Sequence, residues 1–162
     1  MKKYKYLSYF LDEKTPLYGG KSGISIKKLD DISSGDSANT KTINLHNHSG
    51  THIDFPNHFF DKGKVSSDYD AKFWIFENPF MLKIKAKENQ IILLNKSIVN
   101  NIPVETDFLI LNTGFYKFRG QKKFWNNNPG IHPDLATVLR KRCPNLKILG
   151  MDFISLTSYQ HR

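Results

Sequence analysis

The second half of the chain carries the clearest hydrophobic pattern. Phe108–Asn112 is a nearly continuous apolar run, and Ile148–Met151 is similar, as is typical of buried strands. Between these runs, residues 133–143 begin with a proline and place apolar residues at helical spacing, namely Leu135, Val138 and Leu139. The order strand, helix, strand predicts a crossover unit whose two strands are parallel.

The first half shows shorter strand patterns separated by turns. Strands are predicted over residues 4–11, 42–55, 80–86 and 90–94, and loops over residues 30–40 and the glycine-rich stretch before them. From position 82 onward, apolar residues alternate with Lys83, Lys85 and Lys87, which indicates a half-buried strand with a polar outer face. These patterns predict an α/β fold: one domain over residues 1–162 with a strand-rich mixed sheet and few helices.

Composition narrows the class of protein. The 162 residues are 39% hydrophobic and 24% charged, as is typical of one globular domain with a buried core. No apolar stretch approaches the ~18–20 residues of a membrane-spanning helix, and the start lacks the apolar region and cleavage site of a signal peptide. The single cysteine, Cys143, excludes an intrachain disulfide and a thiolate zinc cluster. One cysteine fits a reducing compartment, so we expect a cytoplasmic protein without membrane contact.

The charge balance is basic. Lysine and arginine number 24 against 15 acidic residues, which gives a formal net charge of +9. Such an excess raises the question of nucleic-acid binding. The basic residues are spread along the whole chain, however, and residues 140–142 end the predicted helix, where cations interact favourably with the helix dipole. We therefore expect no nucleic-acid partner, although a basic protein that binds nucleic acid or acidic partners remains an alternative, and an attraction for anionic substrates remains open.

Four of the six histidines fall within thirteen residues, at His46, His48, His52 and His58. In an extended strand, residues of equal parity share a face, so the side chains of His48, His52 and Asp54 would converge on one point. Imidazole nitrogen and carboxylate oxygen are donors that zinc, manganese and iron(II) accept in proteins. The spacing therefore predicts a metal site, whereas the plainer alternative is a group of surface histidines on a polar strand.

The residues around this trio support the same interpretation. Ile53 and Phe55 have the opposite parity and are expected to face the core. Gly50 would let the chain bend or let a ligand approach closely, and Pro56 would end the strand and turn His58 back over the site.

The other two histidines are predicted to lie outside the trio. His46 shares its parity but precedes the motif, and is interpreted as a supporting or surface group. His132 is interpreted as a residue at the N-terminus of the predicted helix.

The segment from His48 to Phe59 reads His-Ser-Gly-Thr-His-Ile-Asp-Phe-Pro-Asn-His-Phe. It resembles the His-x-Gly-Thr-His-x-Asp-x-Pro-x-His signature of the cyclase family of metal-dependent hydrolases, which includes bacterial kynurenine formamidase and isatin hydrolase. Shorter segments elsewhere are similar to other motifs of that family, in the family's order: 15–20, 112–115, 129–131 and 150–155. The resemblance covers nearly the whole chain.

The resemblance implies a swivelling β/β/α domain that hydrolyses an amide-type carbonyl, either a cyclic amide or an N-formyl amide as in arylformamidase activity, with a metal-activated water. It implies Zn²⁺ or Mn²⁺ as cofactor, with His48, His52 and Asp54 as metal ligands and His58 as the catalytic acid/base. Tyr18 matches an aromatic residue that lies against the substrate, although ordinary packing is an equal alternative. A small-molecule substrate and a homodimer or homotetramer are implied as partners.

One departure from the family concerns the end of the sequence. Two-metal members use a further histidine and then a glutamate, both well after the segment that 150–155 resembles. His161 lies too close to Ser155 to match that histidine, and no glutamate follows. We therefore expect either a truncated form that lacks a C-terminal helix or an enzyme that works with one metal. A catalytically inactive, ligand-binding member of the same fold is the alternative function.

Overall fold

The computed structural model describes residues 6, 8–21 and 23–158, and it divides into two compact units, Met1–Gly63 and Lys64–Arg162. The predicted strand at 4–11 lies partly outside the described residues, and residues 8–11 are not in a strand. The prediction of a single domain stays a prediction. Among the described residues, no helix has the length and apolar character needed to cross a membrane.

An antiparallel hairpin forms the first unit's sheet. Strand β1 (Ile24–Asp30) pairs with β2 (Thr40–Leu45), with Ile24 opposite Leu45 and Ile26 opposite Ile43. The register shifts between Lys28 and Asp30, where the chain approaches the loop that joins the strands. The sequence pattern missed β1, because the turn-rich stretch before it masks its short alternation.

The hairpin buries little of its own surface. Ile24 is buried, but every residue of β2 is exposed, and Ile43 keeps 61% of its surface accessible. A two-stranded hairpin is marginal by itself in water, because only one ladder and few apolar contacts hold it together.

A parallel sheet forms the second unit. Its strands are β3 (Pro79–Lys83), β5 (Phe108–Asn112) and β7 (Ile148–Met151), in the spatial order β3-β5-β7. Leu109 and Leu111 of the central strand are fully buried on one face, and Phe108 and Ile110 on the other face are half-buried, which explains the nearly continuous apolar run. The predicted strands β5 and β7 are confirmed to the residue, whereas β3 ends three residues earlier than predicted.

A helix crosses between β5 and β7. Helix α3 (Asp134–Arg142) confirms the predicted helix, and β5 and β7 are parallel as the crossover requires. Pro133 lies at the N-cap rather than at the first helical position. The Arg142 guanidinium donates to the carbonyls of Ile102 (2.7 Å) and Asn100 (2.9 Å), so this cation joins the helix end to a neighbouring turn.

Four short elements complete the second unit. A two-residue parallel pair joins β4 (Ile91–Ile92) to β6 (Gly130–Ile131), and two one-turn helices, α1 (Lys96–Asn100) and α2 (Lys122–Asn126), lie between the strands. The sequence pattern missed β6, α1 and α2, since elements this short contain no full hydrophobic period. Single 3-10 turns cover Tyr18–Gly20, Ile32–Ser34, Pro56–His58, Ser66–Asp68, Ala71–Trp74 and Phe115–Phe118.

The buried hydrophobic cluster of the second unit contains both aliphatic and aromatic side chains. Around Leu109 and Leu111 it includes Phe115, Phe124 and Leu135. Together with the parallel sheet and the few helices, this core confirms the predicted strand-rich, mixed α/β class.

Candidate metal centre

The histidine segment begins where the hairpin ladder ends. Strand β2 stops at Leu45, and the His46 amide donates to the Gly23 carbonyl (3.1 Å) as the last rung. The predicted strand over 42–55 is therefore wrong beyond Leu45. The equal parity of the three candidate ligands does not bring them together, because the chain around them is not extended.

A tight turn replaces the predicted strand. The Ser49 amide donates to the His46 carbonyl (3.0 Å), and Gly50 adopts a left-handed conformation with φ of +66°. A Cβ atom at Gly50 would also overlap the side chain of Leu11. The bend expected at Gly50 is confirmed, since only glycine adopts this conformation without strain.

The turn brings the three predicted ligands together. His48 Nδ1 lies 3.0 Å from His52 Nε2 and 3.0 Å from Asp54 Oδ1. His52 Nε2 lies 3.4 Å from the same carboxylate oxygen. Two nitrogens and one oxygen thus form a triangle with sides of 3.0, 3.0 and 3.4 Å.

This triangle fits a small divalent cation. Ligand atoms at about 2.0–2.1 Å from zinc, at tetrahedral angles, stand about 3.3 Å apart, and three protein ligands leave the fourth position open. The donor set of imidazole nitrogen and carboxylate oxygen also suits manganese. The residues present therefore match the group that the resemblance implies.

His58 returns to the same place by a separate turn. Its amide donates to the Phe55 carbonyl (2.8 Å) within the 3-10 turn Pro56–His58, and its ring centroid lies 4.2 Å from that of His48. A side chain at Gly63 would overlap the backbone of Pro56, so a glycine is needed where the chain passes this turn. The turn that Pro56 was predicted to start is confirmed.

The position of His58 leaves two roles open. Ligand atoms of His48, Asp54 and His58 all lie within 4.8 Å of one another. His58 is thus close enough to serve as a further ligand as well as an acid/base. Its role stays a prediction.

The site is partly open to solvent. The side chains of His48, His52 and Asp54 are 22%, 29% and 42% exposed. Burial lowers the pKa of His48, and the neighbouring imidazoles lower it further, against the opposing effect of Asp54. This shift favours the neutral imidazole, which is the form that binds metal.

The two flanking side chains, both predicted to face the core, differ in burial. Ile53 is 49% exposed, and Phe55 is half-buried. The expected core-facing direction of Ile53 is therefore wrong, because the irregular backbone removes the alternation on which it rested.

Tyr18 lies in the turn Tyr18–Gly20, and 45% of its surface is accessible. Strand β1 begins soon after this turn and pairs its first residue, Ile24, with Leu45, which directly precedes the histidine segment. The role of Tyr18 against a substrate stays a prediction.

The motif residues of the second unit meet at the ends of two parallel strands. Asp152 Oδ1 accepts from the Thr113 amide (2.9 Å) and hydroxyl (2.5 Å), and Asp152 Oδ2 accepts from the Gly114 amide (2.7 Å). The segments 112–115 and 150–155 are thus joined by hydrogen bonds from Thr113 and Gly114 to Asp152, a group of bonds called the Asp152 clamp. His132 precedes helix α3 as predicted, and its Nδ1 accepts from the Asp134 amide (3.2 Å).

Of the two interpretations of His46, a supporting group or a surface group, its contact with the site agrees with the first. The His48 amide donates to His46 Nδ1 (3.2 Å), a specific bond that sequence reasoning did not identify. The two-residue spacing from His46 to His48 is a usable signal, since a side-chain acceptor often bonds the amide two residues later.

Two comparisons with known proteins agree. The family model described as "Putative cyclase" matches residues 6–157, a range that includes both the histidine segment and the Asp152 clamp. The chain is also 31% identical over 164 residues to the kynurenine formamidase of Geobacillus thermodenitrificans (strain NG80-2). That match covers 95% of this chain and 71% of the relative.

Proposed function

Since this chain belongs to the cyclase family, we propose that it is a metal-dependent hydrolase of an amide-type carbonyl, with an N-formyl aryl amide as the first substrate class to test. The observation that carries the proposal is the triangle of two imidazole nitrogens and one carboxylate oxygen with sides of 3.0, 3.0 and 3.4 Å. The related kynurenine formamidase supports the choice of a formyl amide, and a cyclic amide is the second substrate class.

In this proposal His48, His52 and Asp54 would hold one Zn²⁺ or Mn²⁺ ion through two imidazole nitrogens and one carboxylate oxygen. The ion, when bound, supplies a water activated near neutral pH and polarises the substrate carbonyl. His58 accepts a proton from the attacking water and returns it to the leaving nitrogen, because imidazole exchanges protons near neutrality. Tyr18 contributes an aromatic surface for the substrate.

Metal analysis and turnover test the proposal together. The purified chain, loaded with Zn²⁺ or Mn²⁺, is expected to hydrolyse an N-formyl aryl amine and to lose this activity after chelation. Asp54→Ala should remove the metal without unfolding the hairpin, as measured by elemental analysis and circular dichroism. Asp61→Ala is the matched control, since this exposed carboxylate lies in the same unit outside the triangle. An Asp54→Ala protein with unchanged metal content would refute the proposed ligand set, and a metal-loaded parent without turnover would indicate an inactive binding protein.

The proposal includes self-association as a homodimer or homotetramer. Exposed apolar side chains on the hairpin support it, among them Ile43 (61%) and Leu45 (49%), because association would remove their apolar surface from water. Sedimentation at micromolar concentration should show a dimer or a larger species, and a clean monomer would contradict this part of the proposal.

We also place the protein in the cytoplasm, which is supported by its free, buried Cys143.

A further inference from the structure

His46 makes three bonds at the start of the histidine segment. Its amide donates to Gly23, and its carbonyl accepts from Ser49. Its side chain, through Nδ1, accepts from the His48 amide at 3.2 Å. The first two bonds use the backbone and can form with any residue except proline at this position, whereas the third depends on the imidazole.

The third bond constrains the position of His48. It closes a ring across residues 46–48, in the way that asparagine and aspartate side chains close a turn on the amide two residues later. An imidazole that accepts at Nδ1 carries its proton on Nε2, so the bond also selects one tautomer of His46. The backbone of His48 is thus held from both sides, by this bond and by the turn that ends at Ser49.

His48 is in contact with each of the other candidate residues of the site. Its Nδ1 is within 3.0 Å of both His52 and Asp54, and its ring is 4.2 Å from that of His58. A displacement of His48 would therefore change two of the three sides of the triangle at once.

We infer that His46 is a positioning residue of the metal centre, which acts through its acceptor on the His48 amide and not as a ligand. The inference rests on the proposed function, because it concerns the affinity of the same triangle for a divalent cation. Neighbours that orient metal ligands typically contribute 10–100-fold to metal affinity.

Two kinds of His46 variant separate the acceptor from the ring. His46→Asn keeps an acceptor for the amide two residues later but removes the imidazole. His46→Phe and His46→Ala remove the acceptor. The ring centroids of His46 and His48 lie 5.6 Å apart, and phenylalanine keeps an aromatic ring at this place. Either variant without the acceptor suffices if the other fails to fold.

His132→Ala provides a matched control. His132 Nδ1 accepts from the Asp134 amide at 3.2 Å, the same bond over the same spacing in the other compact unit. Its loss should leave zinc affinity unchanged.

The measurements are zinc affinity, by competition with a chromophoric chelator, and the visible absorption spectrum of the cobalt(II)-loaded protein. His46→Phe or His46→Ala should bind zinc about 10–100-fold more weakly and show an altered cobalt spectrum. His46→Asn should stay within about threefold of the parent.

Three results would overturn the inference: parent-like affinity in the variants without the acceptor, equal weakening in His46→Asn, or equal weakening in His132→Ala. Failure of the proposed function gives a different pattern, because His48→Ala would then bind zinc as tightly as the parent.

Discussion

Different interactions stabilise the interior of each of the two compact units. In Lys64–Arg162, a parallel sheet buries Leu109 and Leu111 completely, and the stabilising term is apolar surface removed from water. In Met1–Gly63, strand β2 is exposed along its length, and order comes from turn hydrogen bonds, with glycines where the backbone takes a positive φ. Precise placement of side chains therefore does not require a large core, since short local bonds place the histidines.

Two carboxylates, one in each unit, also differ in their hydrogen-bond partners. Asp152 accepts three hydrogen bonds from Thr113 and Gly114, so its oxygens are occupied by donors of the chain itself. Asp54 faces two imidazoles and is 42% exposed, so the same functional group remains accessible to a cation. A carboxylate that the backbone satisfies is structural, whereas one that faces other metal-binding side chains is a candidate ligand.

The largest expected effect concerns His58 and activity. His58→Ala should lower kcat/KM for the formyl amide by roughly 10²–10⁴-fold, the usual contribution of a positioned acid/base. It should keep most of the metal, whereas His52→Ala should lose metal and activity together. Elemental analysis and steady-state kinetics of both variants measure the difference. His58→Ala with no more metal than His52→Ala would make His58 a ligand, and unchanged activity would contradict the mechanism.

The second prediction concerns stability. Leu109→Ala should lower the free energy of unfolding of the second unit by about 2–5 kcal/mol, because it leaves a cavity in a fully buried site. Ile43→Ala, in the exposed strand of the hairpin, should change the free energy of unfolding by about 0.5 kcal/mol. Denaturant unfolding measures both, and equal losses would show that the two units are not held as differently as described.

The smallest predicted effect is the difference in stability between two glycine variants of the first unit. One variant adds only backbone strain, and the other also adds a steric overlap. Gly50→Ala and Gly19→Ala both place a side chain at positive φ, at a cost of about 1–2 kcal/mol each. At Gly50 the new methyl group also meets Leu11, which should add about 1 kcal/mol, whereas Gly19 has no neighbour within 4 Å. Thermal unfolding of the two variants tests this difference, and identical melting temperatures would count against the contact with Leu11.

The sequence predicts the second unit better than the first, for a physical reason. Every residue of strands β5 and β7 is buried or half-buried, so neither strand has a fully exposed face, and each leaves a continuous apolar run that can be recognised without a structure. Helix α3 likewise shows its buried face as a repeat in the sequence. In the hairpin, β2 is exposed throughout, and exposure leaves no such pattern.

The histidine segment shows a different limit of prediction. The identity of the converging residues could be predicted from their chemistry, and His48, His52 and Asp54 do meet. The reason given for their convergence was wrong, because parity along a strand cannot describe a turn with Gly50 at φ of +66°. Backbone conformation of this kind depends on bonds such as that from the His48 amide to His46, which no hydrophobic pattern encodes.

The bonds that shape the histidine segment span very few residues. They join His46 to His48 and Ser49, and Phe55 to His58, over two or three positions. The segment that holds the proposed ligands is therefore nearly self-contained. An exchange of residues 46–63 between homologous genes would transfer these residues together with the short bonds that shape them. The proposed ligands can then keep their arrangement while the surrounding surface changes.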